Sequence, residues 1–277
     1  MRGGRSGRAL IDRGKRTVLG VNVDAVDYEA AVERTVSAAK ARTPFIATAL
    51  PVHGIMTGTR DATHRYRLNH FDLLVPDGQP VRWAMNLLYR IGLKERVYGP
   101  NLMLALCERL AQESLPVYLF GSREETLAKL RASLLRRFPA LRIVGSQPGR
   151  FRKVSREERD EIVASIRDSG AALTFVGLGC PRQEIWAYEN REALSMPLVC
   201  VGAAFDFHAG TVPQAPHLLQ DAGLEWAFRL AKEPKRLWRR YVLLNPIYVA
   251  MIAAQAIGLA DYDDRPPVPP PADTNLA

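Results

Sequence analysis

In LLVPDGQPV an aspartate, Asp77, directly follows a short apolar run. If that run is a strand, Asp77 lies at its carboxyl end, the edge of an open α/β sheet where ligands bind. A carboxylate there can take a proton from an attacking hydroxyl. It can equally turn the chain and cap the helix that follows. Thr48, toward the end of PFIATAL, is expected in a matching strand-end position. It either offers a hydroxyl to the same crevice or is simply a β-branched strand residue.

GLGCPRQE, Gly177 to Glu184, follows the apolar run ALTFV and opens a helix with Pro181 near its first turn. Backbone N–H groups at such a terminus attract phosphate, so Gly177 and Gly179 are candidate phosphate contacts, with Arg182 and Gln183 beside them. The plain alternative is a strand-to-helix turn with glycines for steric reasons. A nicotinamide site is disfavoured, because Arg182 stands where the dinucleotide pattern wants a third glycine. In AAFDFHAG, Asp206 and His208 lie two apart. No other His or Cys stands at metal-ligand spacing, so a metal reading of that pair is set aside. The Asp261–Asp263 DYD resembles a metal-binding triplet but sits in a proline-rich end.

Trp226 to Arg240 holds six cations against the single anion Glu233. Arg229, Arg236 and Arg239 share a face if one helix runs through them, although Pro234 can start a new one. Guanidinium groups suit bidentate contacts with phosphate, and three could neutralise a diphosphate without a metal. A solvated basic face is the ordinary alternative, yet Trp226, Trp238 and Tyr241 are interleaved with the charges. Tyr241 to Ala260 then runs twenty residues without a charge, split by Pro246. With the preceding arginines it reads as an interfacial anchor for an anionic membrane.

The elements that must position these groups alternate. TVLGVNV, PFIATAL, DLLVPDG, PVYLFGS, LRIVGSQ, ALTFVGLG and PLVCVG are apolar runs separated by amphipathic stretches. Runs apolar throughout, such as LTFVG, suit strands covered on both faces. The expectation is an α/β, Rossmann-like parallel sheet core over 17–215 with a C-terminal helical appendage over 216–260. Residues 1–16 read as a flexible basic arm and not an export signal, and 261–277 as a disordered proline-rich tail.

A chain of 277 residues with 47% apolar and 24% charged residues buries a real core, which excludes disorder of the whole chain. The net charge of +9 and pI near 9.7 point to an anionic partner: nucleic acid, a phosphorylated small molecule or an acidic membrane. No nucleic-acid recognition module is visible, and an apolar segment follows the basic run. Three cysteines without a CxxC pair argue against a disulfide scaffold or structural zinc and suit a reducing cytoplasm.

Six ordered motifs, PDG at Asp77, ERVYGPNLM at Glu95, VYLFGS, GLGCPRQE, VGAAFDFHAG and LEWAFRLAKEPKRLWRRY, resemble the WecG/TagA/CpsF glycosyltransferases, glycosyltransferase family 26. The resemblance runs from about Val18 to about Ile252. It implies an inverting, metal-independent transferase with no cofactor. Such an enzyme moves a sugar from a UDP-sugar donor to a polyprenyl-diphosphate-linked acceptor at the cytoplasmic membrane face, as a peripheral protein and a possible homo-oligomer. Carried over, Asp77 is the general base and Thr48 and Gln183 are active-site polar residues. Arg96 is a positive contact in the crevice, Asp206 a substrate contact, and Arg229, Arg236 and Arg239 close over the donor diphosphate. Thr48-Ala49-Leu50 lacks the Asn of the more usual Thr-x-Asn, and Gln214-Ala215-Pro216 replaces Arg-Ala-Pro. The donor sugar is therefore left open among N-acetylmannosamine, its uronic acid and a glucose type.

Overall fold

A computed structural model describes residues 10–262, 268–270 and 277, without the side chains of His217, Asp221, Arg236, Arg239 and Arg240. Most of the expected arm and tail lies outside the described residues.

The chain opens with an antiparallel hairpin, β1 (Asp12–Val18) and β2 (Val21–Val26). TVLGVNV is thus not one strand, and Asp12–Arg16 belong to the fold and not to an arm. The turn falls at Leu19 and Gly20, both with positive φ. The φ of +85° at Gly20 favours glycine, and a side chain there would also crowd Arg65 at 3.2 Å. Helix α1 (Tyr28–Ala41) is capped by Asp27, whose carboxylate accepts from the Ala30 N–H.

The alternation that follows is β3 (Phe45–Leu50), α2 (Val52–Arg60), α3 (Ala62–Asn69), β4 (Leu73–Pro76), α4 (Gln79–Tyr89) and α5 (Gly99–Gln112). It continues with β5 (Val117–Gly121), α6 (Glu124–Arg137), β6 (Ile143–Gln147), α7 (Arg156–Asp168), β7 (Leu173–Gly177), α8 (Arg182–Leu194), β8 (Pro197–Cys200) and α9 (Ala204–Ala209). Strands β3 to β8 form one parallel sheet in the order β4-β3-β8-β7-β5-β6. Alternate strand residues enter two apolar layers. Ile46, Leu50, Phe120 and Val176 pack on one face, and Ala47, Leu119, Phe175 and Val199 on the other. Helices cover both faces, as continuously apolar strands require. Buried Asp24 accepts from Lys15, Arg34 and the Leu74 N–H, tying β2 to the strand that leads into Asp77.

Beyond Pro216 the chain is helical, as expected: α10 (His217–Asp221), α11 (Glu225–Lys232), α12 (Pro234–Trp238), a π-helical turn (Arg239–Leu243) and α13 (Leu244–Ala256). Pro234 starts a new helix, so Arg229 does not share a continuous helix with Arg236 and Arg239. One face of α13 joins the core through buried Tyr248 and Ile252, and Gln255 bonds to the Leu19 N–H and the Thr17 carbonyl. Ile247, Val249 and Ile257 face outward. Tyr262, assigned to the tail on sequence, is buried against the core. No helix among the described residues is long and apolar enough to cross a membrane.

Candidate active site

The carboxyl ends of the parallel strands open into a cleft of about 750 Å³, lined among others by Asp77, Tyr98, Arg123, Gly179, Gln183, Asp206 and Arg229. A smaller chamber of about 100 Å³ lies between the β4–α4 turn and the appendage, walled by Gln79, Arg96, Glu225, Trp226 and Tyr241. Pro51, Asp77, Tyr98 and Arg229 line both spaces. Asp77 therefore stands where the two meet.

Asp77 does not cap α4: Gly78 is the cap residue, with no side-chain bond to the helix. The carboxylate instead accepts from the Gly99 N–H at 3.2 Å, at the start of α5. A side chain at Gly99 would press on Ala49 at 3.0 Å, so the close approach needs glycine. Burial pushes the Asp77 pKa up to about 6; Arg96 pulls it down, and Glu225 raises it again.

Arg96 donates to Glu225 at 2.6 Å, and its guanidinium lies 4.2 Å from the centre of the Tyr98 ring. Burial alone would ease its proton away, but the charges of Asp77 and Glu225 outweigh that and keep the guanidinium firmly charged. Glu225 also accepts from the Tyr98 hydroxyl at 3.0 Å. Arg229, on α11, reaches the junction of the chambers. Its Nε is buried with no hydrogen-bond partner among the described residues, and its guanidinium lies 5.6 Å from the Phe207 ring centre. A half-buried guanidinium with an unpartnered Nε is suited to an anionic ligand.

At GLGCPRQE, Gly179 has φ +79°, a left-handed conformation that favours glycine. Gly177 is fixed by packing, since a side chain would strike the Phe205 ring at 2.6 Å. Gln183 accepts from the Gly179 N–H and donates to Glu184 at 2.8 Å. Thr48 is 1% exposed and its hydroxyl donates to Glu184 at 2.9 Å, beneath the floor and not into the crevice. Arg182 is not among the residues lining either space. Asp206 lines the cleft and accepts from the Thr211 hydroxyl, whereas His208 bonds to the Pro100 carbonyl, so the two do not act as a pair. The side chains of Arg236 and Arg239 lie outside the described residues.

Three contributors escaped the sequence reading: Tyr98, Glu184 and Glu225. Tyr98 and Glu184 sit within the YGPN and PRQE stretches already singled out. Glu225 lay just before the counted basic run.

The fold and cleft define the class: a Rossmann-like α/β protein whose ligand site lies at the carboxyl ends of parallel strands, with a carboxylate and guanidinium groups at its centre. The Glycosyl transferase WecG/TagA/CpsF family model matches residues 16–261, and the chain belongs to that family. It is a glycosyltransferase of cell-surface polysaccharide synthesis.

Proposed function

We propose that the chain transfers a hexose-type sugar from a UDP-sugar to a polyprenyl-diphosphate-linked acceptor in one inverting displacement, with Asp77 as general base. The observation that carries this reading is the position of Asp77 at the junction of two chambers of unequal size. The larger is of nucleotide-sugar dimensions. The smaller, edged by Trp226 and Tyr241, takes the acceptor end.

In this mechanism the donor diphosphate lies in the large cleft between the GLG turn and Arg229, with Asp206 toward the sugar. The acceptor hydroxyl enters from the smaller chamber and attacks the anomeric carbon from the face opposite the leaving UDP, while Asp77 takes its proton. Guanidinium charge meets the negative charge that develops on the leaving diphosphate. Arg96 lines the smaller chamber, where its charge suits an acceptor diphosphate. Thr48 and Gln183 serve as positioning residues, holding Glu184 and the Gly179 turn.

Membrane placement is supported by the apolar side chains exposed along the appendage and beside it: Trp83, Leu87, Leu224, Trp226, Val249 and Ile257. The same appendage carries the basic residues Lys232 on α11 and Lys235 on α12. That combination suits peripheral binding to the anionic cytoplasmic face of the cell membrane.

The test is a panel of UDP-sugars incubated with a polyprenyl-diphosphate-sugar acceptor, the product anomer being read by NMR. Transfer with inversion, lost in Asp77→Asn, supports the reading. Retention of configuration, or turnover undiminished in Asp77→Asn, overturns it.

A further inference from the structure

Three side chains that take no part in proton transfer or in binding the leaving diphosphate converge under the cleft floor. His64 from α3, Cys180 from the turn after β7 and Glu184 from the first turn of α8 each bring a ligand-type atom within 4.8 Å of the other two. His64 is 1% exposed, and neither Nδ1 nor Nε2 has a hydrogen-bond partner. Glu184 is also 1% exposed, and its Oε2 is unpartnered. Buried polar atoms are as a rule satisfied, so an imidazole idle at both nitrogens beside an idle carboxylate oxygen calls for a ligand between them. Cys180, half-buried, hydrogen-bonds to Glu184 and alone of the three lines the cleft.

We propose that His64, Cys180 and Glu184 form a site for a zinc-class divalent cation, with three protein ligands and one further position. The spacing fits. With metal–ligand bonds of about 2.0–2.3 Å in tetrahedral geometry, ligand atoms stand roughly 3.3–3.8 Å apart, which the trio reaches by small side-chain rotations. The mixed N, S and O donor set selects zinc over magnesium or calcium, which take oxygen ligands. A thiolate and a carboxylate balance the two positive charges. The nearby cation Arg67 has its own buried partner in Glu189, at 3.9 Å.

An outer layer is also in place. Oε1 of Glu184 is held by the Thr48 hydroxyl and the Gln183 amide, the kind of support that orients metal ligands. A cation here ties α3 to the GLGCPRQE turn and, through Gln183, sets the Gly179 backbone at the edge of the cleft. Its role is positional, because neither His64 nor Glu184 lines the space where transfer would occur. The site was invisible to a spacing rule, since His64 lies far along the chain from the other two.

The test uses the full chain loaded with Zn²⁺ or Co²⁺ and dialysed against metal-free buffer. Zinc content by mass spectrometry is expected at about one per chain, falling to less than about a tenth in His64→Ala and in Cys180→Ser. The cobalt form is expected to show thiolate-to-metal absorption in the near ultraviolet, absent in Cys180→Ser. Circular dichroism checks folding; if His64→Ala does not fold, the half-buried Cys180→Ser carries the test. Substoichiometric zinc in the unaltered chain overturns the proposal and leaves a bridging water as the occupant. One zinc per chain retained by Cys180→Ser also overturns it, placing the metal elsewhere.

Discussion

Glu225 Oε2 lies 2.6 Å from Arg96 Nη2, joining the first turn of α11 to the loop before α5. The other Glu225 oxygen accepts from Tyr98, so one carboxylate fastens the appendage to the cleft wall. It also adjusts the chemistry next door, because its charge raises the pKa of Asp77 while that of Arg96 lowers it.

Glu225→Gln should therefore do two separable things. Removing one of the two carboxylates that face Arg96, with Asp77 still in place, is expected to cost less than the roughly 3–5 kcal/mol that breaking an isolated buried pair costs, read as a lower Tm. The acid limb of the kcat/KM profile should move to lower pH, because a negative charge near Asp77 is gone. Arg96→Gln should move that limb the other way. An acid limb unmoved in both variants would show that neither charge is felt at Asp77.

For Asp77 the sign follows from its raised pKa. A base must be ionised to act, so kcat/KM should rise as pH passes through about 6 and level off above it. Asp77→Asn should lower turnover about 100- to 10,000-fold and flatten the acid limb. The effect on stability has the opposite sign. A carboxyl whose pKa is higher folded than unfolded costs stability once pH exceeds the unfolded value, so the cost grows from about pH 4 to 6. Asn keeps an oxygen for the Gly99 N–H and removes that cost. The Tm at neutral pH should rise, and a clear fall would contradict the assigned environment.

The strands of the main sheet, their parallel arrangement and the strand-end place of Asp77 were legible because continuously apolar runs ending in PDG or GLG have few other uses. The hairpin at Leu19-Gly20 was not, because TVLGVNV is apolar on both sides of its turn and periodicity cannot see a reversal there. Thr48 shows a different limit. It was read as a strand-end residue, but it stands inside β3, which runs on to Leu50, and its hydroxyl turns to Glu184 beneath the floor. Glu225 and His64 matter through partners more than a hundred residues away in sequence, which no local pattern records.

Charge on the leaving diphosphate is assigned to arginine. Added Mg²⁺ or Mn²⁺ should therefore leave the rate of transfer unchanged at saturating donor. A strong dependence on either ion, measured as rate against free metal, would place a cation on the diphosphate and remove Arg229 from that role. The measurement is independent of zinc held by His64, Cys180 and Glu184, whose donor set is unsuited to magnesium.

The appendage carries two functions that point substitutions can separate. Deletion cannot, because α13 is built into the fold: removing it uncovers the core around Tyr248 and Ile252 and breaks the Gln255 bonds to the hairpin, so loss of activity in a truncated chain would report misfolding. Arg229 reaches the junction of the two chambers with an unpartnered buried Nε. Arg229→Ala should lower kcat/KM by about 10- to 100-fold, the range for losing a charge-assisted hydrogen bond, while liposome binding is nearly retained. Val249 and Ile257 are 63% and 71% exposed on the outer side of the appendage. Changing both to Gln should release the protein from anionic liposomes without lowering Tm, and turnover on a water-soluble acceptor analogue should persist. If the double variant instead stays on liposomes and Arg229→Ala leaves them, the membrane is held by charge at the mouth of the cleft and not by the outer face of α13.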